Sequence, residues 1–222
     1  MQREIRLTAD GSHTVAIPEM NVTYHSHFGA IGESMHVYIN AGLQSFLHQP
    51  TGDPLTVFEM GFGTGLNALL TLQQATNNKQ HIHYTAVELY PLSHEEILLL
   101  NYGRQLDMQE AFLQLHNCDW EKDVCINEYF TLKKIKASLP ETNITNGINC
   151  IYFDAFSPTS QPELWTQEIF EKMYQALLPG GVLVTYCSKS VVRHAMETAG
   201  FRVEKIPGPW GKREMVRAGR GN

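Results

Sequence analysis

Along this chain the apolar positions switch repeatedly between the period of a strand and the period of a helix. LTVFEMG (55–61) is a short apolar run that stops at glycine, and GLNALLTLQQATN follows it with Leu66, Leu69, Leu70 and Leu72, several of which share a helical face. IHYTAVEL repeats the strand pattern. SHEEILLLNYG repeats the helical one, with Ser93 placed as an N-cap and Glu96 three residues later to close a capping box. Farther on, INCIYFDAF reads as a buried strand, PELWTQEIFEKMYQALL as a helix, GGVLVTYC as a strand and SVVRHAMETAG as a helix closed by Gly200. FRVEKIPG and KREMVRAG form a terminal strand pair.

Two regions depart from this rhythm. Ahead of it, β-like stretches (Glu4 to Thr8, His13 to Ile17) lead through a loop into a predicted helix from about Ile31 to Leu47, with Met35, Ile39, Leu43 and Phe46 on its apolar face. Between the second helix and INCIYFDAF, the segment AFLQLHNCDWEKDVCINEYF reads as a hairpin inserted into the core, its polar turn at Asn117 to Asp123. Strands alternating with helices of this length predict an α/β fold, a Rossmann-like doubly wound and mostly parallel sheet with a terminal antiparallel strand pair. No repeat, low-complexity tract or linker interrupts it, so residues 1–222 read as one domain, with 1–50 an N-terminal extension capping the pocket and 51–222 the catalytic core.

Composition narrows the class without changing that picture. The chain has 222 residues, 43% hydrophobic and 18% charged, enough to bury one substantial core. Cys118, Cys125, Cys150 and Cys187 form no CxxC pair, no basic and apolar leader opens the chain, and no run approaches the roughly 18 apolar residues of a membrane helix. A reducing, cytoplasmic setting is expected. The formal charge of -6 argues against a broad nonspecific grip on nucleic acid. The end of the chain is locally basic, with Lys205, Lys212, Arg213, Arg217 and Arg220 against only Glu214; it reads either as a solvated tail or as a phosphate-contacting surface.

In a doubly wound sheet the ligand sits beyond the carboxyl ends of the strands, where the first strand turns into the first helix. Here that turn is EMGFGTGLN. Gly61, Gly63 and Gly65 make GxGxG rather than the dinucleotide GxGxxG, and Glu59 precedes them, a carboxylate suited to a cationic ligand rather than a pyrophosphate. Glu88 ends the next strand, where both its oxygens can take ribose hydroxyls, and Asp154 follows CIYF at a third strand end. Singly these are a turn, a chance strand-end acid and an N-cap. Together they face one crevice. The pairs His25/His27 and His81/His83 lack partners for a metal set, and no metal is expected; Tyr24, Phe28, Tyr38 and Trp210 are either core aromatics or stackers for a flipped base.

The segments EMGFGTGLN, VELYP, FDAFSPTSQPELWT, LPGGVLVTY, VRHAMETAGF and GKREM, with YHSHFGAIGESMHVYI ahead of them, resemble the tRNA 5-methylaminomethyl-2-thiouridine methyltransferases, the methyl-transferring half of a bifunctional wobble-uridine enzyme. The resemblance runs from about Tyr24 to Gly219. It implies S-adenosylmethionine as cofactor, held by Glu59, Gly61, Phe62, Gly63, Thr64, Gly65, Asn67, Glu88, Asp154, Glu33 and Ser34. It implies tRNA as substrate, with Tyr24, Phe156, Lys212 and Arg213 on the substrate side. The implied reaction is methylation of the primary amine of a 5-aminomethyl wobble (2-thio)uridine, with Asp154 orienting the amine, taking its proton, or binding cofactor alone. Lys212 and Arg213 either meet phosphates or turn inward to pair with an acid.

Two departures accompany it. The bifunctional enzymes continue into a flavin-dependent domain, whereas this sequence stops at Asn222, which assigns oxidative trimming to a separate flavin-dependent or aminomethyl-forming protein. Where the family places an acid near adenine, this chain has Lys133 and Lys134, and Asp119 lies in the polar turn. The competing readings are a polyamine-type transferase, such as an aminopropyltransferase, and a noncatalytic nucleic-acid-binding module.

Overall fold

The computed structural model describes residues 2–47 and 54–221; the boundary expected between 50 and 51 lies outside them. The chain opens with a small antiparallel sheet, β1 (Glu4–Leu7), β2 (His13–Ile17) and β3 (Val22–Thr23). A short helix α1 (Ala30–Ser34) runs directly into a π-helical stretch (Met35–Asn40) and, after a turn, a 3-10 turn (Leu43–Ser45). Then come β4 (Leu55–Met60), α2 (Leu66–Asn78), β5 (Ile82–Val87), α3 (His94–Leu99), α4 (Tyr102–Gln105) and α5 (Gln109–Asn117). The second half holds β6 (Asp123–Asn127), β7 (Phe130–Ile135), β8 (Ile148–Phe153), α6 (Gln167–Ala176), β9 (Leu177–Thr185), α7 (Ser190–Thr198), β10 (Arg202–Pro207) and β11 (Glu214–Gly219).

Eight strands form the main sheet in the order β10-β11-β9-β8-β4-β5-β7-β6. The five central strands run parallel, and antiparallel strands close both edges: β11 and β10 at one, β6 at the other. This is the doubly wound α/β sheet that the alternation predicted. Because strand side chains alternate in direction, Val57, Cys150, Tyr152, Val182 and Val184 pack on one face with α2, α5 and the 30–47 segment. Phe58, Ile151, Phe153 and Leu183 pack on the other face with α6 and α7. Strands buried on both sides are apolar throughout, which is why they were legible as runs.

Three local readings are corrected. Residues 109–117 form helix α5, not the first arm of a hairpin: Phe112 and Leu115, three apart, are fully buried, and that spacing suits a helical face rather than alternation. The hairpin is β6 with β7, so the polar segment Asn117 to Asp123 is the exit from α5. The helix predicted from Ile31 to Leu47 is broken, because Gly42 approaches the sheet so closely that a Cβ there would stand 2.9 Å from Val184 and 3.0 Å from the Cys150 sulfur. The second helix also stops early, at Leu99, and α4 follows as a separate turn. Its predicted capping box is present: Ser93 Oγ accepts from Glu96 N at 3.2 Å and Glu96 Oε2 from Ser93 N at 2.7 Å. The four cysteines are free thiols, and among the described residues no helix is long and apolar enough to cross a membrane.

Candidate functional site

Since β4, β5 and β8 are parallel neighbours, their carboxyl ends open on one side of the sheet. The segments that leave them, from Gly61, Glu88 and Asp154, enclose with Met20, Tyr24 and His25 a cavity of about 780 Å³ counting its open mouth. That is the size of a small-molecule site. Gly61, Gly63 and Gly65 have φ of 93°, 49° and 71°, a region that costs other residues strain. A Cβ on Gly61 would stand 2.9 Å from the Asp154 carbonyl oxygen, and one on Gly65 would stand 2.8 Å from His116 Nε2. The loop is therefore glycine-rich because protein packs against it, in addition to leaving room for a ligand.

Glu88 is fixed by the loop it faces. Its Oε2 accepts from Gly63 N at 2.9 Å and its Oε1 from Tyr90 N at 2.8 Å. Each oxygen retains a further lone pair, so the carboxylate can still accept from two neighbouring hydroxyls of a ligand. Asn67, in the first turn of α2, ties the other two acids together: Nδ2 donates to Glu59 Oε1 and to Asp154 Oδ2, both at 2.9 Å. Glu59 is 1% exposed, and burial pushes its carboxyl well above the usual carboxylate range, Asn67 offsetting part of the rise. Burial likewise pushes Asp154 up to about 7; Tyr38 and Asn67 pull it down, the Glu33 charge adds to the rise and Lys212 opposes it. Among the described residues Glu59 Oε2 and Asn67 Oδ1 are buried without a hydrogen bond of good geometry, although the buried Tyr84 hydroxyl near Glu59 also lowers the Glu59 pKa. Two desolvated carboxyls bridged by one amide favour either a shared proton or a cation beside them.

Tyr24 and Phe156 stand on the cavity wall, edge to face with ring centres 5.1 Å apart, as do Phe62 and Thr64. Glu33 and Ser34 are buried outside that wall. Glu33 Oε2 accepts from Ser26 N at 2.7 Å, and its Oε1 pairs with Lys212 Nζ at 2.6 Å. Lys212 is turned inward, its Nζ 4.0 Å from the centre of the Tyr186 ring. Among the described residues Ser34 Oγ is buried without a partner. Arg213 is exposed and lies outside the cavity. Most of the basic C-terminal stretch is engaged internally: Lys205 pairs with Glu214 at 2.9 Å, and Arg220 donates to the carbonyls of Tyr174, Gln175 and Leu177 at the end of α6.

The sequence did not point to the residues that brace the loop. His25 Nε2 lies 2.7 Å from the Thr64 hydroxyl, and His116 Nε2 donates to the Thr64 carbonyl at 3.1 Å. Burial lowers both rings to about 4, so both are neutral at physiological pH. Among the described residues no three His, Cys, Asp or Glu side chains gather as a metal set. Beneath Phe62, Lys134 is buried: its Nζ donates to the His116 carbonyl at 2.6 Å and sits 4.8 Å from the Trp120 ring centre and 5.5 Å from that of Phe62. Asp119 is exposed and paired with Lys122 at 2.8 Å. Leu89, Tyr90 and Gln161 also line the cavity; the first two follow Glu88 in VELYP and Gln161 lies in FDAFSPTSQPELWT, though the sequence singles out none of the three as a site residue.

The sequence model of a family described as S-adenosyl-L-methionine-dependent methyltransferase matches residues 94–220. A tRNA 5-methylaminomethyl-2-thiouridine biosynthesis bifunctional protein MnmC from Cupriavidus metallidurans is 30% identical over 230 residues, covering 95% of this chain and 33% of that protein. The protein of the same name from Pseudoalteromonas atlantica is 30% identical over 236 residues, covering 96% and 33%. The chain thus spans about a third of the length of these curated relatives. Among solved structures, MNMC2 from Aquifex aeolicus superposes with a TM-score of 0.79 at 24% identity, covering 98% of this chain and 69% of that one. Spermidine synthase from Thermotoga maritima superposes at 0.60 with 16% identity, covering 99% and 69%. Both likenesses concern the fold.

Proposed function

From the premise that this chain belongs to the family of S-adenosyl-L-methionine-dependent methyltransferases, we propose that it methylates the primary amine of a 5-aminomethyl group on the wobble uridine of tRNA, with or without a 2-thio group. The observation that carries this reading is the desolvated pair Glu59 and Asp154, joined by Asn67 at the carboxyl ends of β4 and β8. The cavity's donor set suits the cofactor: Glu88 offers two fixed acceptors for vicinal hydroxyls, and the orphaned Glu59 Oε2 and Asn67 Oδ1 suit a cation. Bound S-adenosylmethionine supplies an electrophilic methyl group on a sulfonium. Glu59, Gly61, Phe62, Gly63, Thr64, Gly65, Asn67 and Glu88 would hold it, with Glu33 and Ser34 supporting from behind.

The chain's own residues have a proton to manage. An alkylammonium has an unperturbed pKa near 10.4 and an ordinary aspartic acid one near 3.9, so transfer between them is uphill by roughly 6.5 units, or about 9 kcal/mol. With Asp154 at about 7, the gap falls to roughly 3.5 units, or about 5 kcal/mol. Desolvating the ammonium beside another positive charge narrows it further. Asp154 then accepts the proton while Tyr24 and Phe156 confine the uracil ring so that the freed nitrogen faces the methyl group. The name that these relatives bear, tRNA 5-methylaminomethyl-2-thiouridine biosynthesis bifunctional protein, supports tRNA as the substrate. The aminomethyl group is made by a different reaction, so an aminomethyl-forming activity acts before this one.

Incubation with labelled S-adenosylmethionine and tRNA carrying or lacking the aminomethyl group, followed by nucleoside analysis, tests the reading. Label in 5-methylaminomethyl uridine only when the amine is present is expected; label elsewhere, or none, refutes it. The acid-lined interior also suits a polyamine, and transfer of an aminopropyl group from the decarboxylated cofactor to a diamine in a parallel reaction would favour that alternative.

A further inference from the structure

Beside the cofactor cavity, the loop 207–213 is clasped against the N-terminal segment. His36 Nε2 donates to the Pro207 carbonyl at 2.8 Å, Lys212 pairs with Glu33 at 2.6 Å, and Gly208 N donates to the Arg213 carbonyl at 3.2 Å. Gly211 lies flat on the Phe28 ring, where a Cβ would come within 2.1 Å of it. The loop held this way presents Trp210 to solvent, 84% exposed, with Phe28 39% exposed beside it and the His27 ring stacked 4.1 Å from Phe28. Phe28, Pro209, Trp210 and Glu33 line a second hollow of about 490 Å³. An indole on a frayed tail would be unremarkable; this one is carried by an anchored loop.

We propose that this ledge, formed by Trp210 and Phe28 on the rim of one hollow, is where unpaired RNA bases flanking the modified uridine stack. The proposal rests on the tRNA reading above and gives that reading a docking surface. Its position fits, because Lys212 joins Glu33 on the hollow to the ring of Tyr186, whose hydroxyl donates to the carbonyl of Ala155 on the cavity wall at 2.8 Å. The exposed Arg213 lies in the same loop as Trp210 and the exposed Lys205 flanks it on β10, while Asp10 and Glu33 line the hollow and Glu33 is neutralised by Lys212. Arg213 and Lys205 are thus exposed cations flanking the loop in a chain of formal charge -6. Aromatic faces with basic neighbours are what single-stranded RNA binds, since every base has a face to stack and every linkage a phosphate to neutralise. An enzyme that extrudes one base must also hold the flanking nucleotides.

The test uses the whole chain and an anticodon stem-loop RNA. Binding is expected to quench the indole fluorescence of Trp210, and Trp210→Ala to weaken binding by about 5- to 150-fold, the range of one lost base stack. Trp210→Phe should restore most of the affinity, with melting temperature and S-adenosylmethionine affinity unchanged in both variants. Arg213→Gln should flatten the salt dependence by about 0.7 log units. Parental affinity in Trp210→Ala, or no RNA binding by the parent chain, overturns the proposal. Trp210-dependent binding without methyl transfer to aminomethyl-tRNA supports the ledge and sinks the reaction; methyl transfer with a Trp210→Ala variant of parental affinity does the reverse.

Discussion

Replacing Asn67 by leucine removes one amide while keeping its γ-branched shape, and two acids feel the loss. Asn67 Nδ2 lies 2.9 Å from both Glu59 Oε1 and Asp154 Oδ2 and lowers the pKa of each. A hydrogen bond to a charged group is worth about 1.5 to 3 kcal/mol, or roughly 1 to 2 pKa units. Because one amide serves two carboxylates, the lower end applies to Asp154, moving it from about 7 upward by roughly 1 unit. Methyl transfer that requires ionised Asp154 rises through that pKa, so the acid limb of the kcat/KM profile should shift by the same amount toward alkaline pH. Stability should respond with a definite sign. A carboxyl whose folded pKa lies above its unfolded value favours the fold below about pH 4 and loses that contribution as pH rises through the folded pKa. The variant should therefore lose more stability than the parent between acid and mildly alkaline pH. The assays are the pH profile with aminomethyl-tRNA and an NMR titration of the Asp154 carboxyl carbon, which needs no turnover. An acid limb and a carboxyl titration both unmoved in Asn67→Leu would falsify the bridging role.

Other substitutions probe different links. Glu88→Gln places an amide where both oxygens accept from backbone N–H groups, so one donor faces another and S-adenosylmethionine affinity should fall at least tenfold by calorimetry; unchanged affinity contradicts the assignment. Gly63→Val puts a β-branched residue at φ 49° with its Cβ 3.1 Å from Tyr24, and cofactor binding should be abolished together with a lower melting temperature. Phe170→Ala empties a fully buried site against Phe153, 5.3 Å away ring to ring; equilibrium unfolding in denaturant should show a loss of about 3 to 5 kcal/mol.

Sequence periodicity alone determined the central architecture, because parallel strands buried on both faces must be apolar throughout and the helices that cover them must keep one apolar face. That made β4, α2, β5, β8 and β9 legible, and with them the strand ends at Glu59, Glu88 and Asp154, since a doubly wound sheet brings such ends together by topology. Local chemistry was equally readable at Ser93 and Glu96, whose capping box involves residues three apart. Only the tertiary structure decided the rest. The spacing of Phe112 and Leu115 suits a helical face, but only their joint burial against the core set that face above the strand-like pattern of AFLQLHN. The break after Asn40 depends on how close Gly42 comes to Val184 and Cys150, atoms more than a hundred residues away. Lys212 could have faced solvent phosphate, and it turns inward because Glu33, 179 residues earlier, waits there with the face of Tyr186. Asn67 became more than a helix residue when α2 placed its amide between two acids from different strands. These contacts are set by the packing of distant segments, and no spacing along the chain encodes them.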